Sequence, residues 1–253
     1  MKSRVAAVTL LAFTFVLIAA VASAKEMTTK WPFAFVEQFP GIVDQLGLKS
    51  GNRLSIGIFV IQGDSPVKSV TMRNLKSGET LEVPSADTIS GLFSADESPP
   101  ILYNFDPMPL FDPEKHTGLW EVTVTDEEGN TVVDKTHNLD KTDELPFVRD
   151  LRVSGDPLSP TVTWKEPDPE AVPSWCRKEY RVRLFKDIDT QLHRSDPLSE
   201  GKYEVPGGLL KNKDIADTYI RVEFTCYDNE DKDHSLPLER RSETLELLQD
   251  LLI

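Results

Sequence analysis

Apolar residues alternate with polar ones in strand-length runs along the last hundred residues of this chain. Leu151 and Val153, then Val162 and Trp164, then Tyr180, Val182 and Leu184 recur at period two, with Arg152, Thr163, Arg181 and Arg183 between them. Period two gives a strand one buried and one wet face. Further segments follow at Tyr203-Val205, at Ile220-Val222-Phe224-Cys226 and at Thr244-Leu247, separated by stretches rich in Pro, Gly, Asp and Asn that punctuate strands. Several short strands at this spacing predict an antiparallel sandwich.

The first half carries the same signature less cleanly. Arg53 to Gln62 is dense in Ile, Phe and Val, Val67 to Leu75 alternates in part through Val70 and Met72, and Thr80 to Val83 continues it. Leu119-Trp-Glu-Val-Thr-Val-Thr125 and Thr131-Val-Val133 flank Asp126-Glu-Glu-Gly-Asn130, a Gly-containing hairpin connection. A second sandwich is the expectation. Between these strands, Pro84 to Pro113 reads as a long irregular crossing interrupted by Pro99, Pro100, Pro107 and Pro109. Before the first expected strand lie the aromatic Trp31-Pro-Phe-Ala-Phe-Val36 and Pro40 to Leu48, long enough for one helical turn or two.

The second half resembles a fibronectin type III domain over residues 146–249. The resemblance rests on Leu151-Arg-Val, Val162-Thr-Trp164, Tyr180-Arg-Val-Arg-Leu184, Tyr203-Glu-Val ahead of Gly207-Gly-Leu-Leu210, and Tyr219-Ile-Arg-Val-Glu-Phe224. Tyr219 departs from the pattern: it is offset by one from Ile220, Val222 and Phe224, so either a bulge restores it or Thr218 takes the inward place and the tyrosine corner is absent. Residues 50–135 resemble a bacterial immunoglobulin-like domain through the final hairpin, Gly118 to Asn130. The expected fold is therefore all-β, with two tandem β-sandwiches: immunoglobulin-like over 25–137, a linker over 138–145, and fibronectin type III-like over 146–253.

In the fibronectin-like layout the third and sixth strands are antiparallel neighbours. The resemblance thus implies that Cys176, at the start of one, lies beside Cys226, at the end of the other, and an oxidising compartment would join them as a disulfide. It also gathers three loops at one end: 166–178, 196–202 and 227–237. They hold Trp175, Tyr227 and His234 among many carboxylates, and aromatic anchors ringed by polar groups are what interfaces use. These three are the candidate binding residues. Such domains act as spacers or ligand-presenting scaffolds, which implies recognition without a particular partner.

Compartment follows from the first 24 residues. Lys2 and Arg4 precede a charge-free run from Val5 to Ala20 and then Ala22-Ser23-Ala24, the pattern of a cleavable secretory signal. The competing reading is an uncleaved anchor. Removing the leader takes away two positive charges and moves the formal net charge from −14 to −16. That acidity opposes nucleic-acid phosphates and anionic lipid heads, so neither is an expected partner. A secreted or periplasmic location, or one at the cell surface, is expected.

Catalysis needs converging nucleophile, acid, base or metal ligands. His116, His137, His193 and His234 fall in four separate segments that read as loops, none followed by a second ligand at helical spacing. Gly63-Asp-Ser-Pro66 superficially matches a serine nucleophile segment, but Pro66 stands where an oxyanion-hole amide is needed, and a hairpin turn is the better reading. Asp228-Asn-Glu-Asp-Lys-Asp233 offers oxygen ligands for calcium, yet Lys232 intrudes and the EF-hand spacing is incomplete. Asp126-Glu127-Glu128 reads as a charged hairpin tip. No catalytic residue, metal site or cofactor is expected. The leading reading is a secreted, non-enzymatic binding or adhesion-type module that recognises a protein or a surface polymer. A structural subunit or assembly factor of a surface filament or secretion apparatus is the alternative, and a carbohydrate-binding accessory module the next.

Overall fold

The computed structural model of the chain describes residues 25–40, 50–83, 85–88, 100–105, 108–186, 190–229 and 238–251. The expected leader, the Pro40 to Leu48 turns beyond Pro40, His234 and the carboxylates after Asn229 in its loop lie outside the described residues.

The protein is all-β. In its first half run β1 (Thr28–Phe39), β2 (Gly51–Ile61), β3 (Val67–Asn74), β4 (Thr80–Glu82), β5 (Ser85–Thr88), β6 (Ile101–Asn104), the single turn α1 (Pro113–His116), β7 (Gly118–Asp126) and β8 (Thr131–Leu139). The second half contains β9 (Arg149–Ser154), β10 (Thr161–Lys165), β11 (Cys176–Lys186), β12 (Thr190–Arg194), β13 (Lys202–Glu204), β14 (Thr218–Asp228), β15 (Leu238–Leu247) and the terminal turn α2 (Leu248–Leu251).

Two expectations need correction here. Trp31 to Val36, expected before the first strand, lies within the 12-residue β1. Its inward residues Ala34 and Val36 are buried, and so is Phe35 on the other face. A strand covered on both faces loses the alternation that marks a half-wet one. The Pro84 to Pro113 crossing, in its described part, contains β5 and β6, paired into the sheet through Ser85↔Asn104 and Gly57↔Asn104, and ends at the start of α1. These four-residue strands are too short for any periodicity to register.

Three sheets form. A four-stranded sheet runs β4-β3-β7-β8 and a three-stranded one β13-β10-β9. The third has eight strands in the order β12-β11-β14-β15-β1-β2-β6-β5. The two halves meet in this sheet where β1 runs parallel to β15, pairing Val36 with Arg240, Glu37 with Arg241 and Gln38 with Ser242. Every other pairing is antiparallel.

The register places both apolar cores on one face of the eight-stranded sheet. In the first half, Leu54, Ile56, Ile58 and Val60 of β2 pack with Val70, Met72, Trp120, Val122 and Val124 from the four-stranded sheet. In the second, Tyr180, Val182, Ile220, Val222 and Phe224 pack with Leu151, Val153, Val162, Trp164 and Val205 from the three-stranded one. Each core lies between two layers of sheet, the packing of a β-sandwich. β14 pairs with β11 without a break from Thr218 to Asp228, so no bulge turns Tyr219 inward. Thr218 is fully buried instead, and Tyr219 packs on the opposite face with Phe39, Leu245 and Met108.

Residues 140–148, which connect the halves, are strapped down along their length. Gln38 and Leu145 exchange two hydrogen bonds of 3.0 Å, the Ser242 hydroxyl donates to the Pro146 carbonyl at 2.8 Å, and that of Thr244 donates to Val148 at 3.1 Å. Leu145 and Val148 enter the second core.

Candidate functional site

Cys176 and Cys226 form a disulfide with Cα atoms 4.9 Å apart, joining the start of β11 to the end of β14. Trp175 stands immediately before it. Its indole N–H donates to Asp143 Oδ2 at 2.8 Å, its carbonyl accepts from the Asn229 amide at 3.0 Å, and the Lys141 ammonium lies 5.9 Å from its ring. Its polar handle is therefore engaged by the connecting segment. Tyr227 is buried, with its hydroxyl donating to Glu179 at 3.3 Å and its ring under the Arg177 guanidinium at 5.0 Å. Burial raises the Tyr227 pKa, with the Glu179 charge adding to the rise. Of the three candidate binding residues, Trp175 and Tyr227 face different neighbours and His234 is outside the described residues.

Beside Trp175 three carboxylates converge from three segments: Asp140, Asp228 and Glu239. Lys141 supplies a cation among them, 3.1 Å from Asp140 and 3.2 Å from Asp228. Burial works against the ammonium, yet the two carboxylates outweigh it and hold Lys141 above its ordinary pKa. Glu239 accepts from the backbone amides of Asp140 and Lys141 at 3.2 Å, and its other oxygen lies 3.4 Å from His137 Nε2. The cluster thus closes on itself as a junction between the halves.

The remaining described histidines are likewise engaged and far apart in the fold. His116 is buried against Phe111 and Trp120, and its Nδ1 accepts from the Asp112 amide at 2.9 Å. His137 and His193 lie in β8 and β12, not in loops. His193 stacks on Tyr203 and shares a 2.6 Å hydrogen bond with its hydroxyl. Ser65 sits in the bend between β2 and β3, where Asp64 is bound to Lys25 through both backbone and side chain; β2 and β3 lie in different sheets, so the bend is a crossing between sheets and not the expected hairpin turn. Asp126 likewise caps the β7–β8 hairpin by accepting from the Asn130 amide and side chain at 2.9 Å. Among the described residues no nucleophile, base and orienting group come together.

Two features escaped the sequence reading. One is an aromatic row across β1 and β2. Trp31 is 59% exposed, adopts a left-handed φ of 48°, and meets Phe59 edge-on at 5.9 Å. Phe33 follows, 6.3 Å from Phe59 and 5.7 Å from Phe35, and lies over Gly57, where a Cβ would come within 2.6 Å of its ring. The irregular register between Lys30 and Phe33 turns Trp31 outward. The other is a buried layer of alternating charge on the face of the eight-stranded sheet turned away from both cores. Arg241 ion-pairs with Glu37 and, at 3.1 Å, with Glu223, while Arg183 lies 2.8 Å from Glu223 and Arg221 lies 3.2 Å from Glu243. A signal was present: Arg221-Glu223 and Arg241-Glu243 occupy the supposedly wet positions of two strands with opposite charges.

Neither a protein-family model nor a curated protein matches the chain. Among solved structures it overlies a crystal structure of domains from titin, over 91% of this chain and 68% of that one, with a TM-score of 0.28 and 14% sequence identity. The sandwich architecture rests on the sheet order and core packing described above.

Proposed function

We propose that the protein is an exported, non-enzymatic binding or adhesion-type module. It comprises an immunoglobulin-like sandwich over 25–137 and a fibronectin type III-type sandwich over 146–253, joined through 138–145 after removal of a leader spanning 1–24. It recognises a protein or a surface polymer outside the cytoplasm. The observation that supports this most is that Trp31, beside the Phe59 ring, is 59% exposed on a left-handed backbone at φ 48°. Backbone held in a left-handed conformation at a non-glycine residue persists where surrounding structure imposes it, and such positions cluster at binding sites. Scaffolds of this kind present recognition elements on their rims and loops. The Trp31 end therefore joins the Trp175 end as a place where a partner docks.

A second reading is supported by β8, a nine-residue strand at a sheet edge with Val133 56% exposed. Exposed edges template strand addition, the means by which a structural subunit or assembly factor would be held.

Photo-crosslinking residues placed singly at positions 31, 175 and 133 in producing cells test both readings. A partner captured at 31 or 175 but not at 133 is the expected result. Crosslinks confined to 133 that join copies of this chain establish the assembly reading instead. Absence of any adduct at all three positions overturns the binding reading.

A further inference from the structure

The charged layer joins the two halves, and its composition makes the join sensitive to protons. Ionisable side chains meet there from five strands, among them Glu37 of β1, Arg181 and Arg183 of β11, Arg194 of β12, Arg221 and Glu223 of β14, and Arg241 and Glu243 of β15. Glu37 is 7% exposed, Glu223 0% and Glu243 1%. Glu223 and Glu243 are direct cross-strand partners, an arrangement in which like charges oppose pairing. Arg241 serves all three carboxylates: it pairs with Glu37 and Glu223, and its Nε lies 3.8 Å from Glu243. Its bond to Glu37 sits at the centre of the β1·β15 pairing, which spans three residue pairs among the described residues.

We propose that this layer is a pH-responsive clasp, in which protonated Glu243 lets Arg241 hold β1 of the first half against β15 of the second, and ionised Glu243 loosens that join.

The argument is one of charge placement. Two carboxylates in one buried site do not both ionise easily, and the protons leave the pair in separate steps. Burial opposes the charge on Glu223, but Arg241, Arg183, Arg194 and Arg221 outweigh it and hold its pKa below the ordinary value. For Glu243 burial wins over the pull of Arg221 and Arg241, and the negative charges of Glu37 and Glu223 add to it, pushing its pKa up to about 8. Ionising Glu243 then places a third buried negative charge opposite Glu223 and competes with Glu37 for Arg241. Because the folded pKa lies above the unfolded one, this group's contribution to stability is fully present below 4.5 and is lost as pH rises through about 8. Glu223 acts in the opposite sense: its lowered pKa supplies stability above 4.5 that is lost on acidification.

Hydrogen-exchange protection factors, corrected for the intrinsic rate at each pH, are compared at about pH 6.5 and about pH 9, either side of the Glu243 titration. The expected result is a drop of about tenfold or more for residues 34–38 and 240–244 as pH rises, with β7 unchanged. Glu243→Gln keeps the side chain's shape and abolishes that drop. Equal protection of the join at both pH values overturns the proposal, as does a drop that persists in Glu243→Gln. Should that variant fail to fold, the carboxyl carbon shift of Glu243 in the unaltered protein decides: a midpoint below about pH 6, near the ordinary glutamate range, overturns the clasp.

Discussion

Protonating His116 would set a hydrogen where the Asp112 amide already points, since Nδ1 accepts that N–H at 2.9 Å. Burial lowers the His116 pKa, against the smaller opposing influence of Asp112 and Glu79. The unfolded chain therefore binds a proton that the folded one refuses, and stability falls as pH drops below 6.5 toward the folded value. Proton NMR should place the ring's midpoint below 6.5, and a His116→Gln variant should lose less stability on acidification than the unaltered protein. A midpoint above the ordinary value would show that the neighbouring carboxylates dominate burial. At this scale the sequence was legible only in part. Cysteine pairing followed from the family layout, whereas Glu239, which faces His137, is distant in sequence, and the nearer partners of His116 and His193 follow no strand or helix period.

Elements differ in legibility for a related reason. β7, β9 and β10 were readable because each buries one face, which gives period two its meaning, and β14 because the residues of its second buried face are polar and keep the alternation. β1 was not, because its faces meet two different environments: the first core on one side, aromatic rings and Glu37 on the other. Nor were β5 and β6, which hold their places through the sheet rather than through their own pattern. The disulfide is the covalent element of the second sandwich, closing a separation of 50 residues between two strands already paired. In the chain-entropy account its removal costs about 2–5 kcal/mol. Replacing both Cys176 and Cys226 by Ser should lower the denaturant midpoint accordingly without changing the far-ultraviolet spectrum, since eleven residue pairs still hold β11 to β14. A change in strand content would mean that the bridge also sets the register.

At the scale of the molecule, two separate apolar cores share one continuous sheet, and cooperativity must pass between them through a narrow contact. Three described residue pairs of β1 and β15, the strapped segment 140–148, the Glu37–Arg241 ion pair, the His137–Glu239 contact and the packing of Phe39 and Met108 with Leu245 and Tyr219 belong to that contact. Arg241 is buried, and its pKa stands above the ordinary value because Glu223, Glu37 and Glu243 together overcome the penalty of burial. Breaking a buried pair outright costs about 3–5 kcal/mol, and removing Glu37, one of the carboxylates that compensate Arg241, costs part of that because Glu223 stays 3.1 Å away. Glu37→Ala should therefore do more than lower stability. The lost energy lies at the join and in neither core, so the variant should unfold in two calorimetric transitions where the unaltered protein shows one, with the second-half core reported by Trp164 and the first-half core by Trp120. Tryptophan fluorescence of single-Trp derivatives would separate the two. Coincident transitions in Glu37→Ala would mean that the strapped segment alone suffices to couple the sandwiches, and the charged layer would then be a local feature of β14 and β15 rather than the bond between halves.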